Sequence, residues 1–88
     1  MTEVLSRAAI LDGIAAVARQ HLPARLGDVA TLSPEARLVE DLGLDSLDLF
    51  TLAAEVENRF RVALDAGDEA AIITVADLAE RIERKLAG

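Results

Sequence analysis

The chain has 88 residues and carries 9 Lys and Arg against 16 Asp and Glu, which gives a formal net charge of -7 at pH 7. The resulting negative field repels nucleic-acid phosphates and anionic lipid headgroups, and it attracts basic protein surfaces. The absence of cysteine excludes disulfides and thiolate metal sites, so any thiol chemistry must come from a cofactor.

The composition predicts one all-α domain over residues 1–88. Hydrophobic residues make up 52% of the chain but only Phe50 and Phe60 are aromatic, which favours packed helices over sheets. A chain of this length normally forms a single domain. It contains no run of about 18 apolar residues, and no basic region precedes its first apolar residues. We therefore expect a cytoplasmic protein without membrane insertion.

The first predicted helix runs from Val4 to about Leu22, because Pro23 cannot extend it. Its apolar stripe, at helical spacing, contains Ile10, Ile14, Val17 and Ala18. Gly13 weakens this helix by about 1 kcal/mol relative to alanine. The long connection to Asp45 should be pinned to the helices by its apolar residues, which are Leu22, Leu26, Val29, Leu32, Leu38, Val39, Leu42 and Leu44.

The second predicted helix begins at Asp45 or Ser46, either of which can accept hydrogen bonds from unpaired backbone N–H groups. It ends near Arg61. Its buried seam is expected to contain Leu49, Leu52, Ala53, Val56 and Phe60.

Two further helices are predicted after a turn at residues 65–68. A short helical piece covers Glu69 to Ile72, and Thr74 then caps the last helix with Asp77 three residues on. The apolar seam of the last helix is expected to contain Val75, Leu78, Ala79, Ile82 and Leu86.

Ser46 is the candidate functional residue, within the segment LVEDLGLDSLDLF from Leu38 to Phe50. A serine before a helix is ordinarily only a cap. Here Asp45 can supply the cap instead, Gly43 permits a tight turn, and Leu47 is expected to be an exposed apolar residue. These neighbours favour a functional role for the serine hydroxyl.

The run Gly43-Leu44-Asp45-Ser46-Leu47 resembles the Gly-x-Asp-Ser-Leu modification site of acyl carrier proteins. Residues 38–62 and 72–78 are also similar to that family. The resemblance implies an up-and-down bundle of three long helices and one short helix. It also implies that a phosphopantetheinyl transferase attaches 4'-phosphopantetheine from coenzyme A to Ser46. Such a carrier is not itself an enzyme: it presents acyl thioester intermediates to partner enzymes of fatty-acid, polyketide or specialised lipid biosynthesis.

The surface around Ser46 predicts docking of basic partners. Six carboxylates and no basic residue occur between Leu38 and Glu57, and such a one-sign patch steers basic surfaces by long-range attraction. The residues expected to contact the transferase and the acyl-processing enzymes are Asp45, Leu47, Asp48 and Glu55. Thr51 and the run Asn58–Arg61 depart from the acidic second helix of the common fatty-acid carriers, which suggests a dedicated pathway.

Other functions have weaker support from the residues. His21, the single histidine, lies far from Ser46 in sequence and indicates no catalytic triad. The acidic residues lack the spacing of a calcium loop, so no metal site is expected. Two alternatives remain: an aminoacyl or peptidyl carrier, against which Leu44-Asp45 argues, and an acidic helical adaptor in which Ser46 only caps a helix. The net charge favours a monomer.

Overall fold

The computed structural model describes residues 6–22 and 33–87, and it confirms the all-α prediction. Within these two ranges, three long helices and one short helix follow in chain order. They are α1 (Arg7–His21), α2 (Ser46–Phe60), α3 (Ala66–Ala71) and α4 (Val75–Ala87).

Helix α1 forms from a capped start and a continuous apolar stripe. Ser6 is its N-cap and accepts a hydrogen bond from the backbone N–H of Ala9 at 3.1 Å. All four residues of the predicted stripe are buried, and α1 packs against both α2 and α4. The predicted start at Val4 lies outside the described residues.

Gly13 has a packing reason to lie in the middle of α1. A Cβ atom at this position would lie 2.5 Å from Cζ of Phe60 in α2. The glycine therefore lets α1 and α2 approach closely, which accounts for its presence despite its low helix propensity.

The apolar seams of α2 and α4 meet the stripe of α1 in one core. The core residues of these two helices are Leu52, Val56, Phe60, Val75, Leu78, Ala79 and Ile82. Leu49 and Ala53 are only half-buried. Leu86 was predicted to belong to the seam of α4, but its side chain is 40% exposed; the seam ends at Ile82, one turn before the end of the helix.

The described part of the long connection is pinned to the start of α4, as predicted. The backbone N–H of Leu38 donates to the carbonyl of Ile73 at 2.9 Å, and that of Val75 donates to Ala36 at 3.0 Å. Leu22, Leu38 and Leu44 are buried, and Leu42 is half-buried. Leu26, Val29 and Leu32 lie outside the described residues.

Val39 was predicted to be buried and is 57% exposed. The chain turns tightly here, since the N–H of Gly43 donates to the carbonyl of Val39 and that of Leu44 donates to Leu38. In a turn this tight, consecutive side chains cannot all face the core.

Helix α3 begins earlier than predicted. Residues 65–68 were interpreted as a turn, but Asp65 is the N-cap of a helix that starts at Ala66 and ends at Ala71. The side chains of Asp65 and Asp68 each accept a hydrogen bond from the other residue's backbone N–H, at 2.8 and 3.0 Å. The predicted cap of α4 is confirmed, because Thr74 Oγ1 accepts from the N–H of Asp77 at 3.1 Å.

Candidate functional site

Asp45, and not Ser46, caps α2. The side chain of Asp45 accepts a hydrogen bond from the backbone N–H of Asp48 at 2.8 Å. The N–H of Asp45 donates in return to Asp48 Oδ2 at 3.1 Å, which completes a capping box. The capping box therefore provides acceptors for the N–H groups of Asp45 and Asp48 without using the hydroxyl of Ser46.

Ser46 is the first helical residue of α2, and its side chain is exposed. Its Oγ makes no hydrogen bond with the described part of the chain. A hydroxyl at this position faces water and lies at the positive end of the helix dipole, which favours an attached anion.

The turn before Ser46 has a defined conformation. Gly43 adopts a φ of 70°, in the left-handed region that glycine occupies without a steric penalty. Leu44, directly after it, is only 2% exposed and anchors the chain in the core. The buried Leu44 and the N-cap Asp45 together fix the position of Ser46 at the surface.

A largely apolar cleft of about 280 Å³ opens beside Ser46. Helix α2 supplies much of its lining, and the segments around α3 and the start of α4 supply other parts. The lining residues are Leu38, Ser46, Leu49, Phe50, Leu52, Ala53, Leu64, Glu69, Ile72 and Leu78. A group attached to the serine hydroxyl would therefore start at the edge of an apolar compartment.

Phe50 is a site residue that the sequence analysis did not assign. This residue is 68% exposed and belongs to the cleft lining. Phe50 follows Ser46 by four residues, so the two lie on the same face of α2. This four-residue spacing could have predicted that Phe50 lies near Ser46.

The residues predicted to dock partners differ in their exposure and in their contacts within the chain. Leu47 is 73% exposed, as expected for a contact residue. Asp45 and Asp48 both belong to the capping box. Glu55 Oε2 lies 3.3 Å from Nε2 of His21, so this carboxylate faces α1 as well as solvent.

The same contact fixes the position of His21. Glu55 is nine residues beyond Ser46, or about 13 Å along the helix axis at 1.5 Å per residue. The imidazole therefore lies beside Glu55 and well away from the serine hydroxyl. Within the described residues, no group of three or more histidines and carboxylates has the geometry to hold a metal ion.

The acidic segment is partly balanced by Arg37, which lies directly before it. Nη1 of Arg37 forms an ion pair with Glu40, and its backbone N–H donates to Asp41 Oδ2 at 2.8 Å. Among the helices described, none is both long and apolar enough to cross a membrane.

A helical bundle that exposes a serine hydroxyl at a helix N-terminus, beside an apolar cleft, has the features of a prosthetic-group carrier. A family model described as the phosphopantetheine attachment site matches residues 16–82. The chain belongs to this family, that of the acyl carrier proteins, whose prosthetic group is phosphopantetheine.

Individual relatives agree with this assignment. The chain is 44% identical over 59 residues to an acyl carrier protein of Thermotoga maritima, covering 67% of this chain and 73% of the relative. It is 36% identical over 75 residues to an acyl carrier protein of Helicobacter pylori, covering 85% and 92%.

A solved structure is similar over nearly the whole chain. It is that of a 3-oxo-butyl acyl carrier protein, an intermediate mimic from the actinorhodin polyketide synthase of Streptomyces coelicolor. The TM-score is 0.69 and the identity 25%, covering 99% of this chain and 96% of that one. The predicted fold class is thereby confirmed, and the chain has the role of an acyl carrier.

Proposed function

We propose that Ser46 is the attachment point of 4'-phosphopantetheine, and that residues 1–88 form a single carrier domain. The observation that carries this proposal is that Asp45 caps α2 while the exposed Ser46 Oγ has no hydrogen-bond partner in the described chain. In the attachment step, Ser46 Oγ loses its proton and forms a bond to the phosphorus next to pantetheine, the pyrophosphate P–O bond of coenzyme A breaks, and adenosine 3',5'-bisphosphate leaves.

The chain's own residues suit such a group. A phosphodiester on Ser46 would lie at the N-terminus of α2, where the helix dipole stabilises an anion by about 0.3–1 kcal/mol. When bound, the prosthetic group supplies a thiol that carries an acyl group as a thioester. The cleft that begins at Ser46 can take up the alkyl part of the cargo, and burial stabilises it by about 0.8 kcal/mol per methylene.

We propose that partner enzymes dock along α2, from its N-cap Asp45 to Glu55. The exposed Leu47 provides an apolar contact, and Asp45, Asp48 and Glu55 attract basic surfaces of the transferase and of acyl-processing enzymes. The protein would act in the cytoplasm as a monomer, because its net charge of -7 opposes self-association.

The proposed pathway is a dedicated one, of polyketide or specialised lipid type. The last carboxylate of α2 is Glu57, and Arg59 and the C-cap Arg61, which follow it, are exposed. A partner that requires an acidic helix along its whole length would therefore be repelled at this end. A solved structure with the same fold is a carrier from a polyketide synthase, which is one such dedicated pathway.

Intact-mass measurement tests the attachment site. The wild-type protein, incubated with coenzyme A and a broad-specificity phosphopantetheinyl transferase, should gain the mass of one phosphopantetheinyl group. Ser46→Ala should gain none. Ser6→Ala and Ser33→Ala are matched controls, because these are the other two serines of the chain, and both variants should be modified like wild type. An unmodified wild type would instead support the acidic adaptor without a prosthetic group.

A further inference from the structure

Helix α3 is held in an unusual way. It has six residues, and its single buried side chain is a carboxylate, that of Asp68, which is 6% exposed. A helix this short is not stable by itself in water, because nucleation is costly and few hydrogen bonds follow it. The position of α3 must therefore depend on contacts with neighbouring elements.

Leu64 and Ile72, on either side of α3, pack against the hydrophobic core, and Asp68 adds contacts with two cations of α4. Its Oδ2 lies 3.0 Å from Nζ of Lys85, and its Oδ1 lies 3.4 Å from Nη1 of Arg81. The backbone N–H of Asp65 donates to the same carboxylate. Hydrogen bonds from Asp65 and from Lys85 hold the pKa of Asp68 below its usual value, so the carboxylate is charged at neutral pH.

The segment that Asp68 anchors borders the cleft next to Ser46. Glu69 of α3 and its flanking residues Leu64 and Ile72 belong to the lining. Residues of α2 line the cleft as well, so a shift of α3 relative to α4 would change the width of the cleft.

We infer that Asp68 is a positioning residue, whose ion pairs with Arg81 and Lys85 hold α3 as a wall of the cleft and thereby shield the cargo from water. The inference rests on the proposed function for Ser46, because it concerns a group attached there. The ion pairs of Asp68, which lie away from the docking residues, would then control how well the carrier protects an alkyl chain.

A purely structural role makes a different prediction. If Asp68 only stabilised the fold, its replacement would affect all helices and all cargoes alike. If it positions α3, the effect is confined to residues 66–71 and grows with the length of the attached chain, because only a long chain reaches into the cleft.

The test compares Asp68→Asn with Glu80→Gln as a matched control. Both changes remove a carboxylate charge opposite a cation of α4, but Glu80 pairs with Arg84 on the surface, at 3.1 Å. Hydrogen exchange on the unmodified proteins should show the amides of residues 66–71 exchanging about tenfold faster in Asp68→Asn. The amides of α1 and α2, and every amide of the control, should stay within about twofold of wild type.

A second measurement follows the cargo. Broad-specificity transferase transfers acetyl- or octanoyl-phosphopantetheine from the corresponding acyl-coenzyme A to Ser46, and hydroxylamine then cleaves the thioester. The wild type should release octanoyl more slowly than acetyl. Asp68→Asn should lose most of this difference, while Glu80→Gln keeps it.

Several outcomes would overturn the inference. In the exchange measurement, Asp68→Asn would show unchanged exchange in α3 or faster exchange throughout the bundle. In the cleavage measurement, the wild type would release octanoyl as fast as acetyl, or Asp68→Asn would protect octanoyl as well as the wild type does. If Asp68→Asn does not fold, the double change Arg81→Gln and Lys85→Gln removes the same ion pairs from two partly exposed side chains and should give the same pattern. If the wild type accepts no phosphopantetheine, the proposed function fails, and the exchange measurement alone decides whether Asp68 positions α3.

Discussion

Two neighbouring substitutions at the start of α2 are predicted to separate folding stability from cofactor loading. Asp45→Ala removes the side chain that accepts a hydrogen bond from the N–H of Asp48 at 2.8 Å. Ser46→Ala removes a hydroxyl that has no hydrogen-bond partner in the described structure. The first change should cost stability and permit loading, and the second should preserve stability and abolish loading.

The magnitudes follow from the capping geometry. Replacing an aspartate N-cap by alanine costs about 0.5–2 kcal/mol, typically about 1. Asp45→Ala should fall in this range, because the N–H of residue 45 can still donate to Asp48. At Ser46, an exposed first helical position, the free energy of unfolding should change by less than about 0.5 kcal/mol, since alanine has the higher helix propensity.

Urea unfolding of the unmodified proteins at pH 7, followed by circular dichroism, measures the stability difference, and intact mass measures loading. A loss above about 1 kcal/mol in Ser46→Ala, with little loss in Asp45→Ala, would show that the serine is the structural cap. Modification of Ser46→Ala would show that the attachment site lies elsewhere. Either result would refute the reasoning for this site.

Three further predictions concern packing, docking and pH. Gly13→Ala should destabilise the fold in urea, because overpacking against Phe60 costs about 1–3 kcal/mol and offsets a helix-propensity gain of about 1; a net gain in stability would contradict the close approach. Glu55→Lys should lower the kcat/KM of the transferase several-fold at low salt and little at high salt, whereas Glu80→Lys should have no effect; a loss unaffected by salt would count against electrostatic docking. Two backbone hydrogen bonds at the start of α4 lower the pKa of Asp77. The charged carboxylate therefore stabilises the folded state fully above about pH 4, and this contribution is lost as the pH falls through the lower pKa of the folded state. Denaturant unfolding between about pH 5 and 2.5 should show a shallower decline for Asp77→Asn than for wild type, and equal declines would exclude this contribution.

The features that the sequence predicted well are those that depend on nearby residues. Helical spacing located the stripe of α1 and most of the seams of α2 and α4, because periodicity expresses which face is buried. Asp45 was recognised as a possible cap of α2 because capping needs only residues within one turn. The same local signals identified Thr74 with Asp77 at the start of α4.

The features that the sequence did not predict depend on packing between elements. Val39 is exposed because the chain folds back on itself in the turn, and hydropathy alone does not reveal that geometry. The contact of Glu55 with His21 requires α1 to lie against α2. The exposed Phe50 at the cleft had a local signal, its spacing from Ser46, but the cleft itself forms only when the helices are packed.

The acidic residues show most clearly where local reasoning ends. Helices α2 and α3 begin with the same pattern, Asp-x-x-Asp, and both pairs form a capping box. In α2 the pattern contains the exposed Ser46, whereas in α3 the second carboxylate is buried against the cations of α4. Because the local motif is the same, only the packing of α3 on α4 distinguishes the two pairs. The net charge of -7 therefore does not form one uniform docking surface. We propose that the carboxylates of α2 attract partners, whereas Asp68 positions α3 at the cleft.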